Sequence, residues 1–170
     1  MTDATFPPKA PQRRDVLLGG GLALFAASLA GTANAQDEVI GRTHSAQEQA
    51  NIDLVASFCA AWERKDLEGV IDHFIPDFVY KMSQDNDPIS GGDAMRRVFQ
   101  PWIESSHRIT YRVLETFARG PVVINHRIDI YHSETNPLTW EGIGVFLVEG
   151  DKLREWSDYT ISIDRGPTPA

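Results

Sequence analysis

The chain has 170 residues, of which 42% are hydrophobic and 24% charged, and its formal net charge is −8. This length is enough for one domain with a core of its own, and the acidic balance argues against nucleic acid and anionic membranes as partners. The single cysteine, Cys59, excludes a disulfide within the chain, and its helical spacing with Val55 indicates core packing rather than a nucleophile.

The first 35 residues have the pattern of a secretory signal peptide. Arg13 and Arg14 precede an apolar run over residues 16–30, and Ala33 and Ala35 form a small-x-small site. The arginine pair resembles a twin-arginine (Tat) signal, so we expect folding before export, passage through the Tat machinery, cleavage after Ala35 and a periplasmic location. A retained membrane anchor is the alternative, which the short run rich in Gly and Ala disfavours.

Helical periodicity dominates the first part of the mature chain. Ser45 and Glu48 have the spacing of a capping box, and Asp66 has the position of a second helix cap, with Pro76 ending that helix. The pattern predicts three helices, over residues 45–64, 67–74 and 92–105, with a strand over residues 77–82 and a turn-rich segment over residues 83–92. The predicted domain spans residues 45–164, between a flexible lead-in at 36–44 and a disordered tail at 165–170.

After residue 105 the apolar period changes from helical to alternating. Four strands joined by hairpin turns are predicted, over residues 108–118, 122–132, 138–148 and 152–164. Helices followed by antiparallel strands indicate an α+β domain with the helices packed on one face of the sheet. Gly142 and Gly144 could mark a bend in that sheet, and a strongly curved sheet provides a concave ligand site.

Three charged residues stand in these apolar strands. Arg127 and Asp129 are two residues apart and therefore project from one strand face, which they share with Val123 and Tyr131, while Asp158 belongs to the last strand. Buried charge contributes little net stability even when it is paired, so a buried cluster is better explained by acid-base chemistry in a pocket. A solvated ion pair between Arg127 and Asp129 is the alternative.

Several segments around these charges carry a family resemblance. Residues 126–130 (HRIDI), 144–150 (GVFLVEG) and 156–159 (WSDY) resemble limonene-1,2-epoxide hydrolase. The element order is similar to that of nuclear transport factor 2 and its relatives, and the similarity covers residues 46–163. The resemblance implies an NTF2-like cone, in which three N-terminal helices pack against a strongly curved, mixed, mostly antiparallel sheet. It also implies a homodimer formed through the open face of the sheet.

The resemblance further implies hydrolysis of a small lipophilic epoxide in one step, with no metal or organic cofactor. Asp129 would be the general acid, Asp158 the general base, and Arg127 would hold both carboxyl groups. Such a pair needs unequal environments, because one carboxyl must be protonated while the other is ionised. Tyr80 corresponds to a tyrosine that holds the attacking water. Met82 stands where the family has an asparagine, and a thioether is only a weak acceptor.

The remaining pocket residues are expectations from strand position. Asn125 could replace the missing asparagine as a contact to the water. Trp140 and Phe146 share one strand face and would line the pocket with Tyr131 and Met82, although core packing would give the same pattern.

Two other classes of function stay open at this point. A proton-transfer isomerase or a polyketide-type cyclase also uses an aspartate base in an apolar pocket. A non-catalytic periplasmic domain that binds a lipophile would need the pocket without the chemistry.

Overall fold

The computed structural model describes residues 43–166. The predicted signal peptide, almost all of the lead-in and residues 167–170 of the tail lie outside the described residues. Three helices are present in the described part: α1 (Ala46–Glu63), α2 (Leu67–Asp72) and α3 (Gly92–Ser105). None of these helices is long and apolar enough to cross a membrane.

The helix starts follow the predicted caps. Ser45 Oγ accepts a hydrogen bond from the Glu48 backbone N–H at 3.2 Å, and Glu48 Oε2 accepts one from the Ser45 backbone N–H at 2.8 Å. The Asp66 carboxylate caps α2 through the Gly69 N–H at 2.9 Å. These bonds, reciprocal at α1 and single at α2, satisfy backbone donors that the first helical turn leaves unpaired.

The end of α2 differs from the sequence prediction. The helix ends at Asp72, and Pro76, expected to follow the helix as its stop, lies inside the first strand. The His73 carbonyl accepts a bond from the Leu153 N–H at 2.8 Å, so the chain enters the sheet at once. Pairing between this strand and the last one is irregular between Phe74 and Val79, which accommodates a proline that has no N–H to donate.

Six strands within residues 43–166 form one sheet. They are β1 (Phe74–Lys81), β2 (Ile89–Ser90), β3 (Arg108–Arg119), β4 (Val122–His132), β5 (Leu138–Glu149) and β6 (Lys152–Asp164). Their order in the sheet is β2-β1-β6-β5-β4-β3, and among these described strands only the β1–β6 pairing is parallel. The predicted α+β architecture, with helices on a mixed and mostly antiparallel sheet, is confirmed. The two-residue strand β2 was not predicted because it is too short to show alternation.

The core lies between the helices and the inner face of the sheet. An aromatic cluster fills it, in which the Phe58 ring meets the Trp156 ring edge-on at 4.9 Å and the Trp62 ring meets the Phe99 ring at 4.9 Å. Cys59 is buried beside this cluster as a free thiol. Residues on β4 alternate between buried and half-buried, so alternate side chains of that strand point into the same interior.

Candidate active site

Three neighbouring strands bring the polar core residues into register. Asn125 on β4 pairs with Gly144 on β5, and Gly144 pairs with Asp158 on β6. Asp129 pairs with Trp140 two positions further along each strand face. Residues of β4 and β6 are therefore separated by roughly 10 Å, the width of two strand spacings. Only a long side chain can join them.

The Arg127 side chain makes that connection. Its Nε donates to Asp129 Oδ2 at 3.0 Å, its Nη2 to Asp158 Oδ1 at 2.8 Å, and its Nη1 to Asn125 Oδ1 at 3.0 Å. The arginine is 0% exposed and its two carboxylate partners 4% and 5% exposed. The cluster is thus a buried one, and the alternative of a solvated surface pair is excluded.

Two residues of β5, Gly142 and Gly144, are glycines without side chains. The space at Gly144 holds the Arg127 guanidinium, and the space at Gly142 holds the Trp140 ring. A Cβ built at Gly144 would overlap Arg127 Nη1 and lie 2.7 Å from Asn125 Oδ1, and one at Gly142 would overlap the Trp140 ring. The Arg127 guanidinium carbon lies 4.8 Å from the centre of the Trp140 ring and 5.5 Å from that of the Trp156 ring. Aromatic faces attract a desolvated guanidinium and help to hold it in place.

The two carboxyl groups have unequal hydrogen-bond partners. Asp158 accepts three bonds, from Arg127, from Trp156 Nε1 at 2.8 Å and from the Tyr80 hydroxyl at 3.2 Å. Asp129 accepts one bond on Oδ2, and its buried Oδ1 has no partner among the described residues. Donors stabilise an ionised carboxylate, so this arrangement favours a charged Asp158 and a protonated Asp129.

The pKa shifts of the two carboxyl groups agree with their hydrogen bonds. Burial raises the pKa of Asp129 to about 7, against the opposing effect of Arg127 and with a further upward contribution from Asp158. Burial also raises the pKa of Asp158, but Arg127, Trp156 and Tyr80 counteract it. Because the groups interact, the two titrations belong to the pair. Near neutral pH the cluster can hold one acid and one base.

A cavity of about 150 Å³ opens beside the two carboxyl groups, and Asp129 and Asp158 both line it. A cavity of similar volume in another protein holds a benzene ring, so one small ring fits here. Exposed Asn86 and Arg165 lie at its rim. Its walls are largely apolar, formed by Met82, Phe99, Trp102, Leu138, Trp140 and Trp156.

The structure brings most of the predicted site residues together. Tyr80, Met82, Tyr131 and Trp140 line the cavity with the two aspartates. Two expectations differ in placement, because Asn125 and Phe146 do not line it. Asn125 is 1% exposed and binds Arg127 from behind, while its Nδ2 lies 3.8 Å from Cys59 Sγ.

Phe146 lies in the aromatic core, which is the packing alternative for that position. Its ring centre lies 5.4 Å from that of Phe58, and the side chain is fully buried. Sequence reasoning missed two residues that contribute to the site, Trp156 and Tyr111. Trp156 precedes Asp158 by two positions on the same strand face, a signal that could have found it, whereas nothing in the pattern distinguishes Tyr111.

Within residues 43–166, no group of three His, Cys, Asp or Glu side chains has an arrangement suited to a metal ion. The two carboxyl groups both accept hydrogen bonds from the Arg127 guanidinium.

Residues 55–156 match the family model of the SnoaL-like domain. The chain belongs to this SnoaL-like, NTF2-like family. No curated protein matches the chain in sequence. Family membership establishes the fold. The family includes enzymes, but proteins with this fold catalyse several different reactions.

Solved structures of other proteins share the fold of the SnoaL-like domain of this chain. An LEH-like epoxide hydrolase of M. tuberculosis is 23% identical, with a TM-score of 0.55 over 66% of this chain and 84% of that one. A putative polyketide cyclase of Xanthomonas campestris pv. campestris is 18% identical, with a TM-score of 0.58 over 66% and 91%. A putative aromatic ring hydroxylase of Novosphingobium aromaticivorans is 17% identical, with a TM-score of 0.62 over 69% and 92%. At these identities the likeness shows the fold alone.

The position of the Arg127 guanidinium depends on the absence of a side chain at Gly144. Gly144→Ala should displace the Arg127 guanidinium and lower the free energy of unfolding by about 3–5 kcal/mol, the usual cost of breaking a buried ion pair. The control is Gly150→Ala in the turn that follows the same strand, where a Cβ meets nothing within 4 Å and only the φ of +65° resists it. That variant should lose about 1–2 kcal/mol. Equal losses in urea unfolding of the two variants would contradict the steric account.

Proposed function

We propose that the chain hydrolyses a small lipophilic epoxide to a vicinal diol, with Asp129 as general acid and Asp158 as general base. The observation that carries this proposal is the unequal hydrogen bonding of the two carboxyl groups on Arg127. An epoxide opens most readily when its oxygen is protonated while a water attacks carbon. Those two events need an acid and a base on opposite sides of one small substrate.

The acid step uses the oxygen of Asp129 that has no protein partner. A proton on Oδ1 is the one that can be given to a ligand, because Oδ2 is bound to Arg127 Nε at 3.0 Å. As the epoxide C–O bond breaks, this proton moves to the departing oxygen, which becomes the first hydroxyl of the diol. Arg127 then stabilises the carboxylate left on Asp129.

The base step uses Asp158. Its Oδ2 carries the bond from the Tyr80 hydroxyl at 3.2 Å, and both residues line the cavity. A water in the cavity beside this pair would give one proton to Asp158 and its oxygen to the epoxide carbon, forming the second hydroxyl. The Tyr80 oxygen keeps lone pairs that can accept the other proton of that water. Return of the proton from Asp158 to Asp129, directly or through solvent, completes the cycle.

Met82 supports a second candidate, a proton-transfer isomerase or cyclase. It lines the cavity where the hydrolase would hold its water with an asparagine, and Asn125 lies behind Arg127 rather than in the cavity. An apolar wall at that point suits a reaction without water. The same Asp129 and Asp158 would then move a proton within one substrate.

The direct test is turnover of a panel of small lipophilic epoxides in oxygen-18 water. We expect labelled diol from the wild type, and a loss of about 10²–10⁴-fold in kcat/KM for both Asp158→Asn and Asp129→Asn. The matched control is Asp151→Asn, an exposed carboxylate in the β5–β6 turn, which should keep the wild-type rate. Absence of diol from every epoxide, with a folded protein, would reject the hydrolase in favour of the isomerase, the cyclase or a lipophile-binding domain.

The pH profile of kcat/KM gives an independent test. A general acid works only while protonated, so activity should fall as pH rises through about 7, the pKa of Asp129. On the acid side of the profile, kcat/KM should fall as Asp158 takes up a proton. This fall should occur at a higher pH than for an ordinary aspartate, because burial raises the pKa of Asp158. Activity that stays constant from pH 6 to pH 9 would exclude Asp129 as the acid.

We also propose that the protein forms a homodimer through the sheet face opposite the helices. Side chains there are half-buried or exposed, and the apolar ones include Phe117, Ile124, Ile143, Val145 and Tyr159. None of the described helices covers this face, and contiguous apolar surface of this kind favours association.

Light scattering coupled to gel filtration checks the dimer. The wild type should elute as a dimer and Ile143→Lys as a folded monomer, because a charge at the centre of the interface would be buried without a partner. Thr110→Lys, on the same face but on the edge strand β3, is the control and should stay dimeric. A monomeric wild type would contradict the proposal.

A further inference from the structure

Two tyrosines form a polar patch in the apolar cavity. Tyr111 on β3 and Tyr131 on β4 both line it, each is 6% exposed, and their hydroxyl oxygens lie 3.1 Å apart. Both are close to the acid of the site, because Tyr111 pairs directly with Asp129 across the two strands and Tyr131 follows it by two residues on the same face. The patch therefore lies on the Asp129 side of the cavity.

The hydrogen bonds of this pair are incomplete. Two phenols carry two O–H protons, and one is used in the bond between them. In the described part of the chain neither hydroxyl makes any other hydrogen bond. Burial raises the pKa of both phenols, so both stay protonated at neutral pH. One O–H donor is thus left over in a largely apolar cavity, where an unpaired polar group is costly.

Ring packing does not require these hydroxyls. The Tyr111 ring stacks on Trp62, with centroids 5.8 Å apart and planes 5° from parallel. The Tyr131 ring meets Trp102 edge-on at 5.7 Å. Phenylalanine would make the same ring contacts and leave no unpaired donor. If the cavity received only hydrocarbon epoxides, the hydroxyl groups of Tyr111 and Tyr131 would leave one O–H donor unpaired and would bind nothing in the substrate.

We propose that the Tyr111–Tyr131 pair binds a second oxygen of the substrate, a carbonyl or hydroxyl oxygen separate from the epoxide oxygen. This inference rests on the proposed hydrolase activity and narrows its substrate to an oxygenated epoxide. The free O–H donates to the substrate oxygen and orients the ring so that the epoxide oxygen faces Asp129. The pair acts through position and takes no part in the proton transfers.

An isosteric pair of substrates tests the subsite. Limonene 1,2-epoxide carries an isopropenyl group, and its 4-acetyl analogue has the same shape with a carbonyl oxygen in place of the CH₂. We expect the wild type to prefer the acetyl epoxide by about tenfold or more in kcat/KM, because a site with a polar partner discriminates against a ligand that lacks one. The double variant Tyr111→Phe/Tyr131→Phe, which removes both donors, should abolish that preference and lose more kcat/KM on the acetyl epoxide than on limonene epoxide.

The control variant is Tyr159→Phe, which removes a hydroxyl from an exposed tyrosine outside the cavity and should leave the preference intact. Equal wild-type efficiency on the two epoxides would overturn the inference. So would a loss in the double variant that affects both substrates equally, since that is the result of a purely structural role.

A binding measurement separates failure of the subsite from failure of the hydrolase. Acetophenone and α-methylstyrene are a similar isosteric pair that cannot be hydrolysed as epoxides. Titration of the wild type by NMR should give a dissociation constant about tenfold lower for the ketone, and the double variant Tyr111→Phe/Tyr131→Phe should bind the two alike. If no epoxide is turned over but the ketone binds tighter, the hydrolase fails and the polar subsite stands. Equal affinities in the wild type would reject the subsite whatever the enzyme does.

Discussion

One buried guanidinium faces two carboxyl groups, and the site depends on how the three charges balance. With both aspartates ionised, the cluster around Arg127 would carry a net negative charge inside an aromatic core, which is costly. One proton makes it neutral. Because Asp158 has three donors and Asp129 has one, the proton belongs on Asp129. The same requirement that keeps the cluster stable therefore supplies an acid and a base a short distance apart.

The fold provides the geometry for this balance through a few backbone positions. Arg127 reaches across β5 because Gly144 leaves space there, and the parallel pairing of β1 with β6 brings Tyr80 to Asp158. Trp156 both donates to Asp158 and stacks on Tyr80 at 3.9 Å, so the base is held from two sides. The SnoaL-like cone is a scaffold for many reactions, and here its specificity would come from side chains such as Met82, Tyr111 and Tyr131.

Much of the site could be predicted from the sequence, and the rest depends on distant contacts. Strand alternation puts Arg127 and Asp129 on one face, and the resemblance adds Asp158. Asn125 was expected in the cavity because alternation gives the face of a strand but not the depth of a residue behind an arginine. The Tyr111–Tyr131 contact depends on the β3–β4 register, which shifts at a bulge between Val113 and Glu115 that no local pattern indicates.

The proton on Asp129 is the central claim, and carbon-13 NMR of the aspartate side-chain carboxyl carbons measures it most directly. Titration of the wild type, with Asp129→Asn and Asp158→Asn for assignment, should show one buried carboxyl that ionises near pH 7. That signal should be absent from Asp129→Asn, while the Asp158 carbon reports a carboxylate at neutral pH. Two ionised carboxylates at pH 6, or a neutral Asp158 beside a charged Asp129, would contradict the account.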